Sequence, residues 1–150
     1  MRSTRPSAFL SSEERRRIVE AIRAAEARTS GEIRVHLDRR CKGDPQDAAK
    51  RVFEKLKMHA TAEKNGVLLY LAVKDRQFAV IGDSGIDEKV EPAFWDSLRD
   101  SMLDEFRQDR FGEGIAAAVE EIGKRLSSAF PKKEGDVNEL SDDVSTEDAS

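Results

Sequence analysis

The run of residues that most suggests chemistry is GDSG, at positions 82–85. The same four letters surround the nucleophilic serine of some serine proteases. A serine nucleophile needs a histidine base within hydrogen-bond reach and a third group that orients this base. The two histidines of the chain are His36, inside a predicted strand, and His59, late in a predicted helix. We therefore predict that Ser84 is not a nucleophile, and that Asp83 or Ser84 caps the short helix that follows.

The elements that must position these residues can be predicted from hydrophobic periodicity, in the order helix, strand, helix, strand, strand, helix, helix. Residues 31–39 alternate between apolar and polar, which is typical of a half-buried strand. Residues 67–73 are apolar on both faces and predict a central strand. The short turn at 74–76 predicts an antiparallel hairpin with residues 77–81. Helices must cover both faces of the central strand, so the predicted fold class is α/β, a three-layer α/β/α sandwich with a small mixed β-sheet.

This topology brings several oxygen-bearing side chains to one edge of the sheet, here meaning the end at which the first two strands begin. The first two strands are joined by a helix and should be parallel, and the hairpin then reverses the chain. The starts of the first two strands therefore share an edge with the end of the third, which places Glu32, Asn65 and Asp83 there. Asp96 joins them if the helix that starts at Pro92 begins near the same edge. Ca²⁺ and Mg²⁺ prefer such oxygen ligands, so these four residues form a predicted metal site; turn and cap hydrogen bonds are the alternative.

The second helix has a basic exposed side, which indicates either a solvated surface or a contact for an acidic partner. Three lysines spaced by seven residues define it: Lys50, Lys57 and Lys64. A nucleic-acid surface would interleave aromatic residues with the bases, but the aromatic residues here lie at core spacing. We therefore predict no nucleic-acid binding and leave open an unidentified protein partner.

Length and composition limit the classes of protein to which this chain can belong. The chain has 150 residues, which suits one domain. Its single cysteine, Cys41, cannot form an internal disulfide, as expected in a reducing compartment. The basic N-terminus lacks the apolar run of a signal peptide, and the longest apolar run, residues 66–73, is too short to span a membrane. The sequence predicts a cytoplasmic monomer without membrane insertion.

The charges divide the chain unevenly. Seven acidic residues and no Lys or Arg follow position 133, so the rest of the chain carries a net charge of about +3 although the whole carries −4. Such a segment has too few apolar residues to form a core. We predict a disordered N-terminus at 1–9, a folded domain at 10–131 and a disordered acidic tail at 132–150.

Four separated blocks of the sequence resemble the TPM domain, a family named for a thylakoid lumen protein, a photosystem II repair protein and a worm receptor modulator. These blocks are IRAAEARTSGEIRV, NGVLLYLAVKDRQFAVIGDSGI, the helix at 95–102 and FRQDRFGEGI. The resemblance extends from about Leu10 to Phe130. It implies an α/β/α sandwich, in agreement with the prediction from periodicity.

The resemblance also implies divalent-cation binding, and a weak acid phosphatase activity attributed to plant members. The family positions that match the Ser-Gly-Glu, Asn-Gly and Gly-Asp motifs are Glu32, Asn65 and Asp83. We therefore expect a TPM-domain protein that binds Ca²⁺ or Mg²⁺ at the edge of the sheet, in an accessory or interaction role. The alternative is a metal-assisted phosphatase, in which the ion polarises a phosphoryl oxygen and activates water.

Overall fold

The predicted order of helices and strands is confirmed, and one short helix and one short strand are added at the chain ends. The computed structural model describes residues 2–132 and 142–148. Its elements are α1 (Pro6–Phe9), α2 (Ser12–Glu26), β1 (Glu32–Asp38), α3 (Pro45–Lys55), a 3₁₀ turn (Met58–Ala60), β2 (Gly66–Ala72), β3 (Gln77–Gly82), α4 (Ser84–Asp87), α5 (Pro92–Arg107), α6 (Phe111–Ala129) and β4 (Ser145–Glu147).

The four strands form one mixed sheet in the order β3-β2-β1-β4. β1 and β2 are parallel, with Glu32 opposite Gly66, and β2 and β3 are antiparallel, with Val67 opposite Gly82. Both relations are those predicted from the connecting helix and the short turn. β4 adds to the free side of β1 in parallel, with His36 opposite Ser145.

Helices cover both faces of this sheet and bury two apolar clusters, so the predicted three-layer sandwich is confirmed. On one face, Ile33, Val35 and Leu37 of β1 pack in one cluster with residues of α2, α5 and α6. On the other face, Leu68 and Tyr70 of β2 pack against α3. Every residue of β2 is buried, as its continuous apolar run predicts. Within the described ranges, no helix is long and apolar enough to cross a membrane.

Local signals fix where the helices begin and end. Ser11 and Glu14 form the capping box at the start of α2, and the Asp44 side chain accepts from the Gln46 N–H at the start of α3. α3 ends at Lys55, although its basic side was predicted to continue through Lys57 to Lys64, because Lys57 adopts the left-handed conformation with φ of 57°.

Residues 2–9, which belong to the segment predicted to be disordered, include α1 and pack against the folded body. The guanidinium of Arg2 donates two parallel hydrogen bonds of 2.7 Å to the carboxylate of Glu14, and it lies over the rings of Phe9 and Phe111. Arg2 is the main cause that lowers the pKa of Glu14 to about 2. Glu14 and Phe111 are distant from Arg2 in the sequence, so the composition of residues 1–9 gives no sign of these contacts.

Residues 142–148, which belong to the tail predicted to be disordered, include β4, whereas residues 133–141 and 149–150 lie outside the described part. β4 pairs with β1, and the preceding Val144 is only 4% exposed and belongs to the core. The Arg15 guanidinium donates to the Val144 carbonyl at 3.0 Å. A three-residue edge strand among acidic residues has little propensity of its own, so its stability depends on the partner strand, which periodicity does not show.

Replacing Val144 by alanine should lower the free energy of unfolding by about 2 kcal/mol, because a buried side chain loses two methyl groups. Urea unfolding followed by circular dichroism measures the change. A difference below about 0.5 kcal/mol would match a solvated tail instead and would contradict the packing of β4.

Candidate functional site

The amino ends of β1 and β2 and the carboxyl end of β3 meet at one edge of the sheet, as predicted. The Glu32 N–H donates to the Asn65 carbonyl at 3.3 Å, and the Asp83 N–H donates to the Gly66 carbonyl at 2.9 Å. Glu32, Asn65 and Asp83 are 2%, 1% and 5% exposed. The edge therefore collects three buried polar residues whose backbones are linked, although their side chains have different partners.

The side chain of Asp83 caps the turn into α4. Its Oδ1 accepts from the Ser84 N–H at 2.7 Å and lies 3.1 Å from Nδ1 of His59. Its Oδ2 is buried and has no hydrogen-bond partner among the described residues. Ser84 is exposed, and the contact with His59 is made by Asp83 rather than by Ser84. This arrangement fits the predicted cap, and among the described residues the Ser84 hydroxyl makes no hydrogen bond to His59 or to another base.

Two of the other three predicted ligands, Asn65 and Asp96, make no side-chain contact with Asp83 among the described residues. The Asn65 side chain donates from Nδ2 to Ser30 Oγ at 3.2 Å, which ties the start of β2 to the loop before β1. Asp96 is exposed on α5, and within the described ranges its side chain makes no hydrogen bond or ion pair. Within the described ranges, no hydrogen bond therefore joins the side chains of Asn65, Asp83 and Asp96 to one another.

Glu32 belongs instead to a cluster of carboxyl groups that also contains Glu26 and Asp142, here called the acidic cluster. Glu26 is the last residue of α2 and is 7% exposed. Its Oε2 accepts from the Ile33 N–H at 2.9 Å, and its carboxyl group contacts those of Asp142 and Glu32. The three residues line a cavity of about 190 Å³.

The loop between α2 and β1 holds the acidic cluster in place. Thr29 Oγ1 accepts from the Gly31 N–H at 3.0 Å and donates to backbone carbonyls at the end of α6. A side chain on Gly31 would meet Leu126 at 2.8 Å, so the loop packs directly against α6. This packing fixes the position from which Glu32 starts β1.

The electrostatics of the acidic cluster favour a bound proton. Burial, together with the adjoining carboxyl groups of Asp142 and Glu32, raises the pKa of Glu26 to about 10, although the Ile33 N–H acts in the opposite direction. Two cationic side chains, Arg23 and Lys132, line the same cavity. Within the part of the chain that the structure describes, no three His, Cys, Asp or Glu side chains stand in the arrangement of a preformed metal site.

Sequence reasoning missed Glu26 and Asp142 as members of this cluster. Glu26 lies four residues after Ile22 and eight after Ile18, so it shares the buried face of α2, and this spacing could have singled it out. Asp142 had no such signal, because it lies in the segment predicted to be disordered.

A second polar constellation joins β4 to the sheet. His36, which is 4% exposed, lies between Ser145 and Asp38: Nδ1 is 2.9 Å from Ser145 Oγ, and Nε2 is 2.7 Å from Asp38 Oδ1. The Tyr70 hydroxyl donates to Asp38 Oδ2 at 2.9 Å. The order Ser-His-Asp is that of a hydrolase triad, but Ser145 is not among the residues that line the adjacent cavity. The contacts instead stabilise the pairing of β4 with β1.

The domain has three layers, a parallel β1–β2 pair and buried carboxyl groups near the amino ends of these strands. These features define a small α/β/α sandwich. The chain belongs to the TPM domain family, whose model matches residues 3–125. This finding confirms the resemblance noted from the four sequence blocks. Among curated proteins, none matches the chain.

Solved structures with the same fold include a protein of high sequence identity. The NMR structure of the BA42 protein from the psychrophilic bacterium Bizionia argentinensis is 42% identical, with a TM-score of 0.88, and the match covers 97% of this chain and 100% of that one. The N-terminal domain of the cg2496 protein of Corynebacterium glutamicum is 19% identical, with a TM-score of 0.58 over 86% of this chain and 80% of that one. An N-terminal domain from P. gingivalis is 20% identical, with a TM-score of 0.64 over 81% and 78%. The last two are similar in fold alone.

Proposed function

We propose that this protein binds a hard divalent cation, Ca²⁺ or Mg²⁺, at the start of β1, in an accessory or interaction role. Glu32 is the central ligand, and Glu26 and Asp142 are the neighbouring ligands. The observation that carries the proposal is the convergence of these three carboxyl groups in a cavity of about 190 Å³.

The chemistry of the acidic cluster supports this proposal. Carboxylates brought together in a buried place repel one another unless a proton or a cation offsets their charge. Ca²⁺ is bound by several carboxylate and carbonyl oxygens in flexible geometry. A cation that enters the acidic cluster would replace the proton on Glu26, so affinity should increase with pH.

The proposal revises the roles of the four residues predicted from the sequence. Glu32 remains a ligand. Asn65 becomes a positioning residue, because its carbonyl accepts from the Glu32 N–H and its amide donates to Ser30. Asp83 and Asp96 do not line the cavity of the acidic cluster and are not ligands in this proposal.

Replacing Glu32 by glutamine should greatly weaken cation binding while keeping the side-chain volume. In an amide NMR titration with Ca²⁺, the wild type should show saturable shifts around residues 26, 32 and 142, and Glu32→Gln should lose them. Asp96→Asn is the matched control, since it removes the same charge from an exposed position of the originally predicted site. Equal titration of the wild type and Glu32→Gln would reject the proposal.

A second candidate function is metal-assisted hydrolysis of a phosphate ester, which the cationic lining residues Arg23 and Lys132 favour. A cation held by Glu32 would polarise a phosphoryl oxygen, and these side chains would offset the charge of the ester. Hydrolysis of p-nitrophenyl phosphate with Mg²⁺ by the wild type but not by Glu32→Gln would support this candidate. Equal hydrolysis by both would remove it and leave the binding role.

Four features remain predictions from the sequence: a monomeric state, an unidentified protein partner, the lack of nucleic-acid binding and a cytoplasmic location.

A further inference from the structure

A large cavity at the opposite end of the sheet, where β1 ends, is lined by more cationic than anionic side chains and is here called the basic cleft. Its volume is about 840 Å³. Five of its lining residues are bases, three from the loop after β1 and two from α3, and two are acids. The bases are Arg39, Arg40, Lys42, Arg51 and Lys55, and the acids are Asp38 and Asp75.

Both acids of the basic cleft are engaged by neighbouring protein groups. Asp38 lies 2.7 Å from the His36 ring and accepts from the Tyr70 hydroxyl at 2.9 Å. Asp75 Oδ2 accepts from the Cys41 N–H at 2.9 Å. Both carboxylates therefore already accept hydrogen bonds within the fold, and the five bases of the cleft outnumber them.

Two bases on α3 are placed to act together on one ligand. Arg51 and Lys55 are exposed and one helical turn apart. Arg51 has no hydrogen bond or ion pair among the described residues, and its charge lowers the pKa of both Tyr70 and Cys41 against the larger effect of burial. The Arg51 guanidinium is therefore close enough to Tyr70 and Cys41, which line the cleft, to influence both groups. Lys55 has a long contact, 3.7 Å, with Glu147.

The position of the basic cleft in the fold is typical of ligand sites. In the sheet, β1 lies between β2 and β4. The chain passes from β1 to β2 through α3, which covers one face of the sheet, and it reaches β4 only after α5 and α6, which cover the opposite face. In open α/β sheets, ligands bind beyond the carboxyl ends of strands where the connections diverge in this way. Asp38, at the carboxyl end of β1, lines the cleft.

From these observations we propose that the basic cleft binds a phosphate-bearing small molecule. Guanidinium and ammonium groups bind phosphate oxygens through charge-assisted hydrogen bonds. The volume lies in the range of small-molecule sites, and the buried Ala48 and Val52 supply an apolar wall for an organic part. Among the described residues that line the cleft, only Tyr70 is aromatic, and it is fully buried, so this part of the chain offers no stacking surface of the kind that nucleic-acid sites use.

This site is separate from the acidic cluster and does not depend on it. Glu32 and Asp38 are the first and last residues of β1, so the two sites lie about 20 Å apart along the strand. Failure of cation binding at Glu32 would leave the basic cleft unaffected, and the reverse also holds.

The single cysteine provides a reporter inside the basic cleft. Cys41 lines the cleft and is partly exposed. Burial and the nearby Asp75 raise the pKa of its thiol, so its reaction with an alkylating reagent should be slow and measurable at mildly alkaline pH. A ligand in the cleft should slow the reaction further by blocking access to the thiol.

The test measures the alkylation rate of Cys41 against increasing inorganic phosphate or pyrophosphate, with EDTA present and ionic strength held constant with sodium chloride. The wild type should show saturable, several-fold protection, stronger with pyrophosphate. Arg51→Ala should weaken the protection roughly tenfold, because one charge-assisted contact is lost. Lys50→Ala, which removes a charge from the adjacent exposed position outside the cleft, should leave it unchanged.

Amide NMR in the same titration locates the effect and checks the fold of each variant. Shifts should concentrate at residues 38–42, 51 and 55. The proposal is overturned if sodium chloride alone protects Cys41 as well as pyrophosphate does, or if Arg51→Ala and Lys50→Ala behave alike.

Discussion

Replacing Glu26 by glutamine should raise the free energy of unfolding of the metal-free protein near neutral pH. The folded protein holds the pKa of Glu26 at about 10, above the ordinary value of 4.5. The stability that depends on protonated Glu26 is therefore fully present below about pH 4.5 and is lost as pH rises toward 10. Near pH 7 the contribution of protonated Glu26 to the free energy of unfolding is smaller than at acidic pH by at most about 3 kcal/mol. Glutamine imitates the protonated acid: it can accept from Ile33 and donate to a neighbouring carboxylate.

Urea unfolding over a series of pH values, with EDTA present, measures this effect. The wild type should lose stability between weakly acidic and alkaline pH, and Glu26→Gln should show a flatter profile. Glu20→Gln is the control, because Glu20 is exposed on the same helix. Parallel profiles for Glu26→Gln and the wild type would show that the acidic cluster does not take up a proton on folding.

Ca²⁺ links this prediction to the proposed function. In the wild type, a saturating cation should restore much of the stability lost at alkaline pH, since a ligand that binds only the folded state stabilises it. In Glu26→Gln the cation should stabilise less, because one carboxylate ligand is absent.

The second large effect is expected at Gly85, the last residue of the GDSG motif. A Cβ at this position would lie 2.4 Å from the Glu63 carbonyl oxygen and 2.6 Å from that of Lys64. The Gly85 N–H also donates to the Lys64 carbonyl at 2.9 Å, so the two segments cannot easily separate. Gly85→Ala should therefore cost about 3 kcal/mol of folding free energy, through backbone displacement.

Ser84→Ala is the matched control for this prediction. It changes the residue that would be the nucleophile of a serine hydrolase, but the side chain is exposed and the cap contact uses only the Ser84 N–H. Thermal unfolding should show a large decrease for Gly85→Ala and little change for Ser84→Ala. A large effect of Ser84→Ala on any hydrolytic activity would restore the motif as a reactive centre.

The sheet topology was predictable from the sequence because it depends on strong local patterns. The continuous apolar run of β2 required cover on both faces, and the helix between β1 and β2 required parallel pairing. These two facts place Glu32, Asn65 and Asp83 at one edge, where the structure has them.

The directions of the side chains were not predictable in the same way. Adjacent backbones at the end of a strand do not determine which partner a side chain takes, and Asp83, Asn65 and Glu32 have three different ones. The constellation of His36 with Ser145 depends on a strand of three residues whose pairing spans more than a hundred positions in sequence. Such contacts follow from tertiary packing, which sequence periodicity does not encode.

The segment 142–148 reaches both ends of β1. Asp142 contributes to the acidic cluster at one end, and Glu147 contacts Lys55 beside the basic cleft at the other. Three paired residues and one buried valine hold this segment between those points. Its detachment by local unfolding would therefore remove Asp142 from the acidic cluster and the Glu147 contact from Lys55 in a single event. Hydrogen exchange at the amides of β4 would report the frequency of this shared opening.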